Sequence, residues 1–205
     1  MPSGGLARQS YARRRNDPWR SSGRYLRVMD GADLDRWLPD PQVRTRHRRS
    51  ARTEPARLWS AAERVRVSDA PRLGRVLRWR IPGTPAALPY REVFRRYPFA
   101  VLAEGGCWSV SGLCGNVWSI RRDYPRIEGA EDFLAWDRPG SVRVILAHWV
   151  EVEPAGAAIV SETRVQPVDP RARWRMRALW ASLGHFERLI GGEALAAAVR
   201  AAESD

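Results

Sequence analysis

Residues 141–167 read SVRVILAHWVEVEPAGAAIVSETRVQP, and residues 168–202 continue VDPRARWRMRALWASLGHFERLIGGEALAAAVRAA. The first stretch is two alternating runs about a Pro-Ala-Gly turn; the second is an amphipathic helix. In Glu153-Pro154-Ala155-Gly156-Ala157, Pro fixes φ at about −65° for a type I turn and Gly takes the left-handed position after it. A three-residue loop follows, with Glu153 opposite Ala157. That register sets Val152 by Ala158, Val150 by Val160, His148 by Glu162 and Leu146 by Arg164. Val142, Val144, Leu146, His148, Val150 and Val152 then form a mostly apolar inward face, with His148, Glu162 and Arg164 as polar intrusions. Arg143, Trp149, Glu151 and Ser161 make the opposite face mixed.

Downstream, Val168-Asp169-Pro170 is a helix start with a capping carboxylate and Pro in the first turn. Ala172, Met176, Leu179, Leu183, Phe186 and Ile190 recur at steps of four and three with Trp180 alongside, while Arg173, Arg177, Glu187 and Arg188 fall largely off the stripe. Gly191-Gly192 predicts a kink or a second short helix over the alanine-rich residues 193–203.

Upstream, Trp37 and Leu38 can anchor the chain on the core ahead of Pro39 and Pro41. Val43, Thr45, His47, Arg49 and Ala51 alternate with Arg44, Arg46, Arg48, Ser50 and Arg52, a strand with one charged face suited to protecting a sheet edge. Thr53-Glu54-Pro55 opens a helix carrying Leu58, Trp59, Ala62 and Val65, and Ser68-Asp69 with Pro71 opens another carrying Leu73, Val76 and Leu77. Residues 81–98 contain four prolines and read as an irregular loop able to gate a pocket. Short strands follow at 99–104, 108–113 and 116–121, then a one- to two-turn helix at 130–137 bearing Phe133, Leu134 and Trp136.

A chain of 205 residues with 44% hydrophobic content can bury a real core. It divides into a basic extension at 1–28 and one domain at 29–205. The extension carries Arg8, Arg13, Arg14, Arg15, Arg20, Arg24 and Arg27 against Asp17 alone, half of the net charge of +12. Its Ser- and Gly-rich, aperiodic composition reads as disordered and solvated; a basic arm by which an interaction protein contacts nucleic acid or acidic membrane, a transit peptide and a functional start at Met29 are the other readings. No apolar run reaches the roughly 20 residues of a membrane span, and no secretory signal opens the chain, which predicts a cytoplasmic protein. All 35 basic residues are Arg, a bias spread too evenly to mark one site. Nucleic acid is therefore a disfavoured partner. Cys107 and Cys114 read as reduced thiols.

The order of strand, two helices, several antiparallel strands and a long helix predicts an α+β helix-grip fold, with a curved antiparallel sheet wrapped around the C-terminal helix. Together with Trp37-Leu38-Pro39, the Pro55 helix, Pro139-Gly140, Glu162-Thr163-Arg164-Val165 and the Leu179-Trp180 helix, it resembles the SRPBCC superfamily of START-related lipid-transfer domains and polyketide cyclases, in its uncharacterised bacterial branch. The resemblance covers residues 30–203. It implies a cavity for a hydrophobic or amphipathic small molecule.

His148 opposite Glu162 is the strongest candidate for chemistry. A carboxylate would fix the imidazole tautomer and raise its basicity, and Arg164 would stabilise developing negative charge, as a cyclase or dehydratase needs. A polar cluster that merely satisfies itself beneath the helix is the competing reading. Val144, Leu146, Val150, Val160, Met176, Leu179 and Leu183 are expected to line the cavity, with indoles from Trp108, Trp118, Trp174 and Trp180. His47 and His185 add no metal-ligand spacing, and no phosphate loop, dinucleotide fingerprint or nucleophile elbow is present, so no metal or cofactor is expected. The sequence leaves the oligomeric state open.

Overall fold

The two long alternating runs pair as antiparallel neighbours, β4 (Val142–Glu153) and β5 (Gly156–Pro167), but one residue out of the expected register. A computed structural model describes residues 31–118, 123–190 and 192–204, with backbone alone at 31, 32 and 182–190. The turn is Pro154-Ala155 only; Gly156 already pairs with Glu153. Gly156 has φ +147°, and a Cβ there would stand 2.2 Å from the carbonyl oxygen of Ala51. Glycine thus lets the end of a third strand close against the turn. Because side chains alternate with period two, the shift turns every β5 residue to the other face relative to β4. His148 is opposite Ser161, and Glu162 is opposite Ala147.

That third strand is β1 (Val43–Ala51), which forms one edge. Its neighbour is β5, followed by β4, β3 (Trp108–Gly115) and β2 (Ala100–Gly105), all antiparallel. The fold is therefore α+β, an open five-stranded antiparallel sheet. Of the strand expected at 116–121, Asn116 forms an isolated bridge with Asp123, and residues 119–121 lie outside the described residues. The extension at 1–28 also lies outside them.

One face carries Val142, Val144, Leu146, His148 and Val150 of β4. It is covered by α1 (Pro55–Arg64), a 3₁₀ turn at Tyr90–Arg95, and the C-terminal helices α4 (Pro170–Ile190) and α5 (Glu193–Ser204), and α2 (Pro71–Arg80) packs in turn against α5. The C-terminal helix comes in two parts, α4 ending at Ile190 and α5 starting at Glu193, as the cost of glycine in a helix predicts. Asp169 caps α4: one carboxylate oxygen accepts the Ala172 N–H at 2.9 Å and the other the Gly140 N–H. These bonds hold its carboxyl below the usual range. The Ser68-Asp69 signal forms a separate 3₁₀ turn at Val67–Asp69, whose Asp69 carboxylate accepts the Arg66 N–H at 2.9 Å, so α2 begins after Ala70.

The far face is equally dry. Ile145, Ala147 and Trp149 of β4 and Val160 of β5 pack under Leu34, Trp37 and Leu38 and under Phe133 of α3 (Ala130–Ala135). Gly112 of β3 makes room, since a Cβ there would meet the Phe133 ring at 2.7 Å. Arg46 and Arg48 of β1 lie on this side and pair with Glu151 at 2.5 and 3.0 Å, so the basic run of the edge strand is neutralised across the sheet. With both faces of β4 buried, the inward-and-outward contrast expected of its alternation is lost.

Candidate functional site

The core on the helical face comes in two blocks. In the first, α1 and α5 cover Ala51, Val150, Ala157 and Ile159; in the second, Met176 of α4 covers Val43, Val142, Val144 and Val165 together with Tyr124. Phe99 and Leu146 pack against both blocks yet are only half-buried, and Thr163, opposite Leu146, is half-buried too. Leu146 sits in the middle of the central strand, where burial is ordinarily most complete. Leu179 and Trp180 of α4 and Trp118 border the second block and are likewise half-buried. Leu146 and Phe99 thus mark the seam between the two blocks, with Leu179 and Trp180 of α4 at the border of the second.

Of the expected lining, the structure brings Val144, Leu146, Met176, Leu179, Trp180 and Trp118 together in this region, and Val150 belongs to the neighbouring block. Val160 and Trp108 are corrected to the far face, because the register shift carries Val160 there and Trp108 pairs with Trp149. Trp174 is 71% exposed on the outer side of α4 and lines nothing inside. The side chains of Leu183 and His185 lie outside the described residues.

His148 is 3% exposed and sits between the rings of Tyr90 and Phe94, at 5.8 and 5.3 Å between centroids. Its cross-strand neighbours are Ser109 and Ser161, and its Nε2 has no hydrogen-bond partner among the described residues. Burial, aided by the charge of Arg91, pushes its pKa down to about 3, so the ring is neutral at physiological pH. Arg91 is itself 6% exposed. It lies 3.7 Å over the Trp59 ring and donates to Glu63 at 2.9 Å and to Ser109 at 3.0 Å. The hollow beside these groups, lined by Ala62, Tyr90, Arg91, His148, Ile159, Ala194 and Leu195, holds about 10 Å³, room for one water at most.

Glu162 and Arg164 lie together on the far face, apart from His148. The Arg164 Nε donates to Glu162 at 2.7 Å and its Nη1 reaches Asp35 at 2.5 Å, while Arg44 meets Glu162 at 2.9 Å. Both Glu162 and Arg164 are essentially inaccessible to solvent. Their charges are satisfied by each other and by the segment that bears Asp35 and the Leu38 carbonyl. The expected catalytic trio is therefore split two to one. No carboxylate stands opposite His148 to raise its basicity, and Arg91, its charged neighbour, lowers it.

Arg91 lies in the proline-rich stretch expected to be irregular, where the Tyr90, Phe94 spacing of four was the available signal for a buried helical turn; Phe99 heads the strand expected at 99–104, with nothing in its alternation to mark a place at the junction of two core blocks. Cys107 and Cys114 are free and buried, and burial pushes the Cys114 thiol up to about 12. Among the described residues no group of three or more His, Cys, Asp or Glu could hold a metal ion, and no helix is long and apolar enough to cross a membrane. No protein-family model matches this chain, and no curated protein or solved structure matches it either.

Proposed function

We propose that this chain is a helix-grip protein of the START-related type that binds a hydrophobic or amphipathic small molecule in the seam between Leu146 and α4. The half-burial of Leu146 at the centre of the middle strand carries the reading: an apolar side chain in that position, packed on both core blocks yet incompletely covered, is where an apolar guest would complete its burial. The pairing of the first strand with the last, the two helices after the first strand and the C-terminal helices over the sheet support the family assignment. A neutral His148 with no carboxylate partner favours binding over acid–base catalysis of the cyclase or dehydratase kind.

Native mass spectrometry of freshly purified protein beside a denatured sample tests the reading directly, with a co-purifying apolar compound as the expected result. Titration with anilinonaphthalene sulfonate supplies the second arm. Saturable uptake is expected, and Leu146→Trp, which fills the seam from the sheet side, is expected to weaken it about tenfold or more. No bound compound together with equal probe uptake by both proteins would remove the proposal.

A further inference from the structure

Two buried polar atoms belong to side chains that line one small hollow, and neither has a protein partner. His148 Nε2 and Arg91 Nε are both closed off from solvent and make no hydrogen bond among the described residues. The hollow they share holds about 10 Å³. Apart from these side chains and Tyr90, its wall is apolar: Ala62 of α1, Ile159 of β5, and Ala194 and Leu195 of α5.

The surrounding contacts hold both groups in place. Arg91 commits its two terminal nitrogens to Glu63 at 2.9 Å and to Ser109 at 3.0 Å, with its Cζ 3.7 Å over the Trp59 ring. Ser109 is the cross-strand neighbour of His148, so the guanidinium is anchored at the strand position beside the imidazole. The Tyr90 and Phe94 rings flank that imidazole. An unmet N–H and an unmet ring nitrogen in a dry interior each carry the full cost of lost hydration.

The charges select the guest that can meet them. Arg91 already has a carboxylate in Glu63, and the imidazole is neutral, so a second anion would bring uncompensated charge into the core. About 10 Å³ is the least space that one water needs, and nothing larger fits. What remains is a small neutral group that accepts one hydrogen bond and donates another.

We infer that the hollow is a binding site for a single structural water, which accepts from the Arg91 Nε–H and donates to His148 Nε2. This arrangement puts the imidazole proton on Nδ1. The water joins the 3₁₀ turn to the central strand where α1, α5 and β5 meet it, and His148 is a positioning residue of that joint. The inference is independent of the ligand-binding reading.

The test combines a crystal structure of the full chain, grown in the presence of bromide, with the ¹⁵N resonances of His148 in the native protein. One ordered oxygen at about 2.7–3.2 Å from both nitrogens is expected, without anomalous signal from bromide. The Nε2 resonance should report an unprotonated nitrogen at pH 7. Bromide in the hollow would overturn the inference in favour of an anion site, and a hollow without density, in a map that shows other buried waters, would overturn it in favour of a dry one. A protonated Nε2 at pH 7 would overturn it as well, since the imidazole would then donate. Ala194→Val, which fills the hollow, should lose the water and lower Tm by about 3 °C or more despite the added apolar volume. A variant Tm equal to or above that of wild type would mark the hollow as a packing defect and overturn the inference.

Discussion

Glu162 and Arg164 form a buried ion pair at 2.7 Å on the sheet face away from His148, with Arg44 and Asp35 closing the network at its exposed ends. The pair fastens the segment around Asp35 and Leu38 to the sheet. It is a clamp between layers, and its loss should be felt as stability.

Glu162→Gln leaves Arg164 buried and short of a counter-charge, and is expected to cost about 3 kcal/mol in urea unfolding. Glu162→Leu combined with Arg164→Met removes both charges and should recover most of that loss. A single-variant cost below about 1 kcal/mol would show the pair to be dispensable.

His148 predicts a specific acid sensitivity. Its folded pKa is depressed to about 3, so below about pH 6.5 the unfolded chain binds a proton that the folded chain refuses. The stability held above that pH is then lost progressively as pH falls toward 3, at up to about 1.4 kcal/mol per pH unit. His148→Phe should remove this slope; the difference between variant and wild-type unfolding energies at pH 7 and pH 5 measures it. An imidazole resonance that titrates near pH 6.5 in the native protein would contradict the burial argument.

Gly156→Ala places a methyl group only 2.2 Å from the Ala51 carbonyl oxygen, at φ +147°. The clash and the backbone strain together should cost about 2 kcal/mol or more. Thermal unfolding reads the effect, and a Tm within a degree of wild type would mean that the β1 end moves aside freely.

Neither thiol should react quickly with an alkylating reagent in the folded protein, since Cys107 and Cys114 are buried and burial raises both pKa values. Mass spectrometry after brief exposure should find no adduct under native conditions and two in denaturant. Rapid native modification of Cys114 would place it outside the core.

Much of the fold was legible in the chain. The alternation of residues 43–51 and 142–153, the Asp169 cap with Pro170, and the Gly191-Gly192 interruption predicted elements that stand where expected, because each is set by local backbone chemistry or by a period over several residues. The α4 stripe was also readable: Ala172 and Met176 are buried, and Leu179 and Trp180 border the seam.

The relation between strands was not readable at the same level. Whether Gly156 belongs to the turn or to β5 depends on the approach of Ala51 from a strand more than a hundred residues earlier, and that one position decides which face Glu162 and Arg164 occupy. Parity along β4 gave no warning, for Leu34, Trp37, Leu38 and Phe133 cover its second face and make both sets of side chains core. Local sequence determined which segments are strands and helices; the packing of distant layers determined the register between them, and through it which side chains can meet.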